Sequence, residues 1–511
     1  MSDTKNTENE SGGLKKSLRL IYVYAIAAGA IFTFIGYWDT IFYEYCGAGT
    51  FLGFILMTLL ILPIAMVYCE LAPLFPRAGG ELIYNTVGIN KHIGFFSSWL
   101  IMAAWIAVPP SAVMAIVQWM FHVLHIQSSF LLIEGVALVA LIGYCALSLQ
   151  NVEIAGKIQL YMLMFAIAGC IVATVAFLFS GVWSFDNFKN VFYSQVGSHF
   201  GIPSWIIGMA LLITPFFGFE TVPQMVEEGD FPIKDSNKAI LGSIVSCGIV
   251  YSLFFFGLGG MPVQPLVEEG GAAVNGFLEQ LGGGWGVFAV IFGIAAILCA
   301  IGTCLLGFWL STVRLMYAMG ENNFLPKAFT KLNSHQQPVL PNILLLIISL
   351  VFLLLQNATT FMNDFFNLMS FGCACAYALT MISAMRIHKK YPNWVSPYKL
   401  KGGNFTRVLA LIIAVVIAFF CTLGQSAGSW KSFGIYLGVG VLLWLWMVLV
   451  NWKKHPVEIE EDKPYVISPD SFGEMDDYNR ISLTYYADGV LADEDDEVVD
   501  DVDATVGTSN P

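Results

Sequence analysis

Twelve long apolar runs fill this chain of 511 residues, at roughly 19–44, 50–74, 93–124, 131–149, 157–182, 203–228, 237–260, 283–319, 340–357, 362–387, 406–425 and 432–453. A helix spanning ~30 Å of hydrocarbon needs about 20 apolar residues. Inside a bilayer no water satisfies an open backbone group, so the runs can only be helices. Composition agrees: 57% of residues are hydrophobic and 12% charged, and a soluble chain carries about twice that charged fraction. The third and eighth runs are long enough to extend past the membrane or to tilt within it.

The basic residues give the helices a direction. With the N-terminus placed in the cytoplasm, 22 of the 24 Lys and Arg fall on the inner side, and only Lys189 and Lys431 fall outside. That asymmetry predicts an even number of spans with both termini cytoplasmic. The net charge of −13 comes from the end of the chain, since residues 452–511 hold 17 Asp and Glu against 4 Lys and Arg. The chain therefore divides into a polar segment 1–18, a membrane domain 19–453 and an acidic tail 454–511 of disordered character. The tail is open to two readings, a solvating appendage or a partner-binding one. The N-terminal segment lacks the short apolar core of a signal peptide.

Two runs are interrupted by glycine and polar residues at corresponding places. The first reads YAIAAGAIFTFIGYW from Tyr24 to Trp38, and the sixth GMALLITPFFGFETVPQMVEE from Gly208 to Glu228. A helix broken within a bilayer exposes N–H and C=O groups, which are tolerated only against protein, water or a ligand. Paired interruptions of this kind point to the substrate site of a transporter.

Four segments, in order, carry a family resemblance. They are MVYCELAPLFPRAGGELIYNTVGINKHIGFFSSW from Met66 to Trp99, GFETVPQMVEEGDFPIKDSNKAI in the sixth run and its loop, STVRLMYAMGENNFLPKAF in the eighth, and MRIHKKYP closing the tenth. Together they resemble the amino acid–polyamine–organocation superfamily of secondary transporters. The resemblance implies an all-α integral membrane fold of 12 transmembrane helices in a 5+5 inverted repeat. Spans 1 and 6 would be broken at mid-membrane (LeuT-like), the repeats would cover about 19–182 and 203–387, and two extra spans would cover 406–453.

At the first break Ala30 and Ile31 resemble the start of the family's binding segment, but Thr33-Phe34-Ile35-Gly36 replaces its usual glycine pattern. Only Gly36 keeps an unhindered backbone, so carboxylate recognition departs from the family there. Asp39 and Glu44 lie one and two turns outward; they either face outer water or attract a cationic amine. At the second break Thr214-Pro215-Phe216-Phe217-Gly218-Phe219-Glu220 is the densest candidate. Pro215 removes a helix hydrogen bond and Gly218 permits unusual dihedrals. Phe216, Phe217 and Phe219 offer aromatic faces. Glu220 is an ionisable residue mid-span, costly unless paired or wet, and by resemblance it acts in gating or coupling, with Asp39 a second candidate. Ala104, Trp105 and Val108 on span 3 and Phe308 on span 8 are placed at site depth by counting from family motifs. Small residues and aromatics at these positions are equally open to a packing role.

Span 5 has one charge, Lys157 at its cytoplasmic edge, so no buried lysine stands in for a sodium ion. Nine of the ten Cys fall within spans, where they serve as small apolar residues, and neither a disulfide nor a metal site is expected. No nucleotide loop or other cofactor motif is present, and no clustered nucleophile and base suggests an enzyme. The expected protein is a plasma-membrane permease for amino acids or related amines, working as a proton symporter or a substrate antiporter, with that substrate, protons and the lipid bilayer as partners and no nucleic acid. A polyamine carrier with an acidic vestibule and a non-transporting sensor are the alternatives.

Overall fold

The computed structural model describes residues 14–457 except 34, 37, 39–41, 43–45, 127–128, 191–200, 263–273, 275–277, 280, 359–360, 393–395 and 424. The described residues are helical, with two isolated bridges and no strand. In chain order the helices are α1 (Leu20–Ile31), α2 (Thr50–Leu74), α3 (Glu81–Gly88), α4 (Lys91–Val123), α5 (Phe130–Ser148), α6 (Val152–Leu178), α7 (Ser204–Leu211) and α8 (Val222–Met225). They continue with α9 (Ser236–Gly259), α10 (Gly284–Gly293), α11 (Gly302–Glu321), α12 (Val339–Ala358), α13 (Phe361–Lys390), α14 (Asn404–Thr422) and α15 (Ala427–Trp446).

Ten of the described helical stretches are long and apolar enough to cross a membrane, and Leu20–Ile31 and Val339–Leu355 are shorter apolar helices. The chain is a multi-pass membrane protein. The long eighth run is not one regular helix: Ile294–Ile301 between α10 and α11 is a π-helix. Asn90, Ser129, Asn151 and Ser426 cap the starts of α4, α5, α6 and α15 with their side-chain oxygens. The short α3 between the second and third spans is not foreseen by apolar length, because it is only 8 residues long, yet all of it is buried.

Burial sorts the helices. α1 packs on α6, α9 and α11, and it is buried without interruption from Ala25 to Ile31. α4 packs on α11 and α13 and is buried through most of its length. α5, α14 and α15 instead turn apolar side chains outward, among them Leu131, Ile412 and Leu442. Lipid is the only solvent in which such faces cost nothing.

Both described ends of the chain pack on one face. The backbone N–H groups of Ser17 and Leu18 donate to Glu228 O at 3.0 and 2.9 Å, and Asp230 N donates to Leu18 O at 3.0 Å. Asn323 Nδ2 donates to Pro456 O at 2.7 Å. One buried and one partly buried ion pair lie among these helices. Arg314 of α11 donates from Nε and Nη2 to Glu228 at 2.5 and 3.1 Å, and from Nη2 to Gln337 at 2.9 Å. Arg407 of α14 grips both oxygens of Glu70 on α2, at 3.0 and 2.5 Å. Breaking a buried pair by removing one partner typically costs about 3–5 kcal/mol.

Candidate substrate site

The first run stops being helical at Phe32, whose ψ of 66° leaves the helical region. Its freed backbone groups find partners on other helices. Tyr251 Oη of α9 donates to Ile31 O at 2.8 Å and accepts from Thr33 N at 3.1 Å. Thr33 Oγ1 donates to Ala30 O at 3.1 Å, Thr303 Oγ1 of α11 to Gly29 O at 3.4 Å, and Cys247 Sγ of α9 to Ala28 O at 3.5 Å. Ala28, Ala30 and Ile31, three of the last four carbonyls of α1, thus have donors, while Gly29 O shares the Thr303 hydroxyl with Ala300 O at 2.7 Å. Gly36 adopts φ +98° and lies against the π-helix, where an added Cβ would come within 2.7 Å of Ala296 Cβ.

The sixth run breaks differently. Between α7 and α8 the chain makes two 3-10 turns, Thr214–Phe216 and Phe219–Thr221, separated by extended Phe217 and by Gly218 at φ +144°. Gly218 N donates to the carboxylate of Glu220 at 2.7 Å, and Thr221 Oγ1 donates to Gly218 O at 2.6 Å. Glu220 also accepts from Tyr377 Oη of α13 at 2.8 Å and from Trp105 Nε1 of α4 at 3.2 Å. It is 0% exposed. Three donors on two oxygens suit an ionised carboxylate, which only accepts. The two breaks touch at one point: a Cβ on Gly218 would meet Ala30 Cβ at 2.8 Å and Ile31 N at 2.9 Å.

A small cavity of about 20 Å³ lies between the breaks. It holds about one water and is closed to anything the size of an amino acid. Of the residues expected from the sequence, Ala30, Thr33, Ala104, Thr214, Phe217 and Phe308 line it, and Val108 joins them one turn from Ala104. Trp38, Cys304 and Met369 also line it and were not expected. Cys304 stands one helical turn before Phe308, so the 3.6-residue period carried that signal. Met369 comes from α13 and left no trace in sequence.

The remaining expected residues lie outside this lining. Phe216 faces the opposite way, toward Phe54 and Tyr251, each 6.2 Å between ring centroids. Phe219 packs on Tyr68 and Tyr377 at 5.3 and 5.5 Å. Trp105 reaches Glu220 instead. Ile31, Gly218, Ile35 and Gly36 shape the two breaks rather than the wall of the cavity. Phe34, Asp39 and Glu44 lie outside the described residues.

Span 5 contributes a residue the sequence reading passed over. Gln159 is fully buried, and its Nε2 donates to Thr303 O at 2.7 Å and to Ala25 O at 3.4 Å. A neutral amide thus bridges α1 and α11 behind the first break. Reading span 5 by charge alone misses it.

The sequence matches the amino acid permease family over residues 18–446. The chain belongs to that family. This permease is 24% identical over 444 residues to the glutamate/serine transporter AimA of Bacillus subtilis (strain 168), covering 79% of this chain and 80% of that one. It is 23% identical over 335 residues to the branched-chain amino acid permease BcaP of Lactococcus lactis subsp. cremoris (strain MG1363), with 62% and 70% covered. To the arginine/ornithine antiporter ArcD1 of the same Lactococcus strain it is 25% identical over 405 residues, with 72% of each covered. The relatives are transporters, not enzymes, in keeping with the lack of catalytic clusters in the sequence.

Proposed function

We propose that this permease carries an α-amino acid with an uncharged side chain across the plasma membrane by alternating access. Twelve spans, ten of them forming two inverted repeats of five, would place both termini in the cytoplasm. The shared face of the two described chain ends and the one-sided distribution of Lys and Arg support that arrangement.

One observation carries the substrate class. The cavity between the two breaks is lined by apolar side chains and by the hydroxyls of Thr33 and Thr214, with no charged residue among the described lining. A charged side chain moved there without a partner would lose several kcal/mol of solvation. The substrate's ammonium and carboxylate would be served by backbone groups at the breaks, as helix ends do in broken-helix transporters. The relatives named above are described for glutamate and serine, for branched-chain amino acids, and for arginine and ornithine, so membership alone does not choose among charges. The lining favours the branched-chain kind. Because the cavity is closed, binding requires the helix group around α1 and the sixth run to move against α4 and α13.

The test is thermal stabilisation of the purified protein by leucine, valine, serine, glutamate, arginine and putrescine. A ligand that binds the folded state raises Tm by mass action, by about 2.7 kcal/mol of stability at a hundredfold excess over Kd. Stabilisation by leucine or valine is expected. Stabilisation by arginine or putrescine alone would overturn the uncharged reading and return attention to Asp39. In proteoliposomes, uptake driven by an imposed proton gradient marks a symporter and counterflow without one marks an antiporter. Binding with neither flux would make the protein a sensor.

A further inference from the structure

Glu81 begins α3, the short buried helix joining the second and third spans, and it is 0% exposed. Among the described residues no ion pair reaches it. One oxygen accepts from Gln224 Nε2 at 3.2 Å, and the amide is held in that orientation because Gln224 Oε1 accepts from Gly79 N at 3.0 Å. The other oxygen, Oε1, has no hydrogen-bond partner, nor do the buried hydroxyls of Tyr68 and Tyr84. Tyr68 Oη lies beside Glu81 and Thr380 without hydrogen-bond geometry to either. This is the reverse of Glu220, whose two oxygens are surrounded by three donors.

The groups facing Glu81 are Tyr68 from α2, Tyr84 from its own helix, Glu220 and neutral Gln224 from the sixth run, and Cys373 from α13. From α4, Ser97 meets only the Glu81 backbone carbonyl, at 3.3 Å. None of these is a cation. An ionised carboxylate there would be a buried, unpaired charge, which proteins avoid by holding the group neutral. Burial pushes the Glu81 carboxyl up to about 8, its own backbone N–H and the Tyr68 hydroxyl pull it partway back, and the negative charge of Glu220 adds to the rise. The two carboxyls lie on either side of one aromatic wall: the Tyr68 ring stands 5.8 Å from that of Tyr377, and Tyr377 Oη donates to Glu220.

We propose that Glu81 is a proton-binding site of the transport cycle, protonated while the cytoplasmic half is closed over it and deprotonated when that half opens. On opening, the proton passes from the carboxyl oxygen to cytoplasmic water and leaves a solvated carboxylate; on closing, the carboxylate takes a proton back. The sign follows from the raised value in the closed form. The closed form is favoured by acid. Between the solvated value of about 4.3 and about 8, each pH unit upward favours opening about tenfold. This rests on the transporter reading and its orientation.

Infrared difference spectra of the purified full chain, taken from about pH 6 to about pH 9, test the site without any substrate. Wild type loses a protonated-carboxyl C=O band with a midpoint near 8, and E81Q lacks that band. E220Q, which keeps Glu81 but removes the neighbouring charge, retains the band with its midpoint shifted to lower pH. A wild type with no titrating band, or a band untouched by E81Q, overturns the proposal. In proteoliposomes loaded with labelled leucine, wild-type exchange rises with pH on the cytoplasmic side, whereas E81Q is flat across pH. An E81Q profile that follows wild type overturns the coupling role. Failure of wild type to move any amino acid breaks the transporter reading instead, and the infrared result then stands alone.

Discussion

The two broken helices are held by opposite means. The first break leans on distant helices: beyond local bonds from Phe32 N, Thr33 N and the Thr33 hydroxyl, its carbonyls and amide meet Tyr251, Cys247 and Thr303, side chains that follow it by more than 200 residues. The sixth break supplies its own partners, with Glu220 accepting from Gly218 N and Thr221 donating to Gly218 O. Only then does it reach outward, to Trp105 and Tyr377. The first break is therefore a conformation shaped largely by α9 and α11. The sixth is a self-contained joint that carries its carboxylate with it.

Perturbing each joint separately tests that contrast. The largest effect is expected at the contact between them. Gly218→Val places a β-branched residue at φ +144° and drives its Cβ into the Ala30 and Ile31 backbone. Strain of about 1–3 kcal/mol precedes the clash, so both Tm and flux should collapse. A well-folded, active variant would show that the breaks do not meet as described. Next, Glu220→Gln turns an all-acceptor group into one with an NH₂ facing a donor. A loss of about 1–3 kcal/mol is expected, with flux reduced more than expression. If flux is intact across pH, Glu220 only braces the joint.

Tyr251→Phe tests the borrowed support. It removes the hydroxyl shared by Ile31 O and Thr33 N, leaving them only their own 2.9 Å bond, and should cost about 0.5–1.5 kcal/mol for each bond lost, read as a lower Tm. If the first break is truly held from outside, Tyr251→Phe should alter transport rate more than any local change at that break. Thr33→Ala is that local change. It removes one hydrogen bond to Ala30 O and should cost only about 0.5–1.5 kcal/mol. A larger effect on flux than on Tm would mean that the hydroxyl meets substrate, because Thr33 also lines the cavity.

The same asymmetry decided what could be read in advance. The TPFFGFE segment announces its break through Pro215, Gly218 and Glu220, residues whose backbone and charge effects are local. Some helix ends are legible too: the second run, 50–74, is α2 (Thr50–Leu74), whereas the fifth, 157–182, is displaced from α6 (Val152–Leu178). The partners of the first break were not legible, since nothing within a dozen residues of TFIG says that Tyr251 caps it. Gln159 escaped because an amide carries no charge to flag it. Glu81 escaped because in sequence it sits in a loop, and only packing by α4, α13 and the Tyr68 ring of α2 makes it buried.

Apolar length determined, by sequence alone, that this chain crosses a membrane many times, because bilayer solvation acts on every residue independently of its distant neighbours. The positions of the two breaks followed from local backbone chemistry in the same way. Only the tertiary structure decided which side chains close the opened backbone, which of the candidates face the cavity, and which carboxyl is left in the dark without a cation. Those outcomes depend on distances between helices hundreds of residues apart, and a buried charge or an open N–H is settled only by what is packed against it.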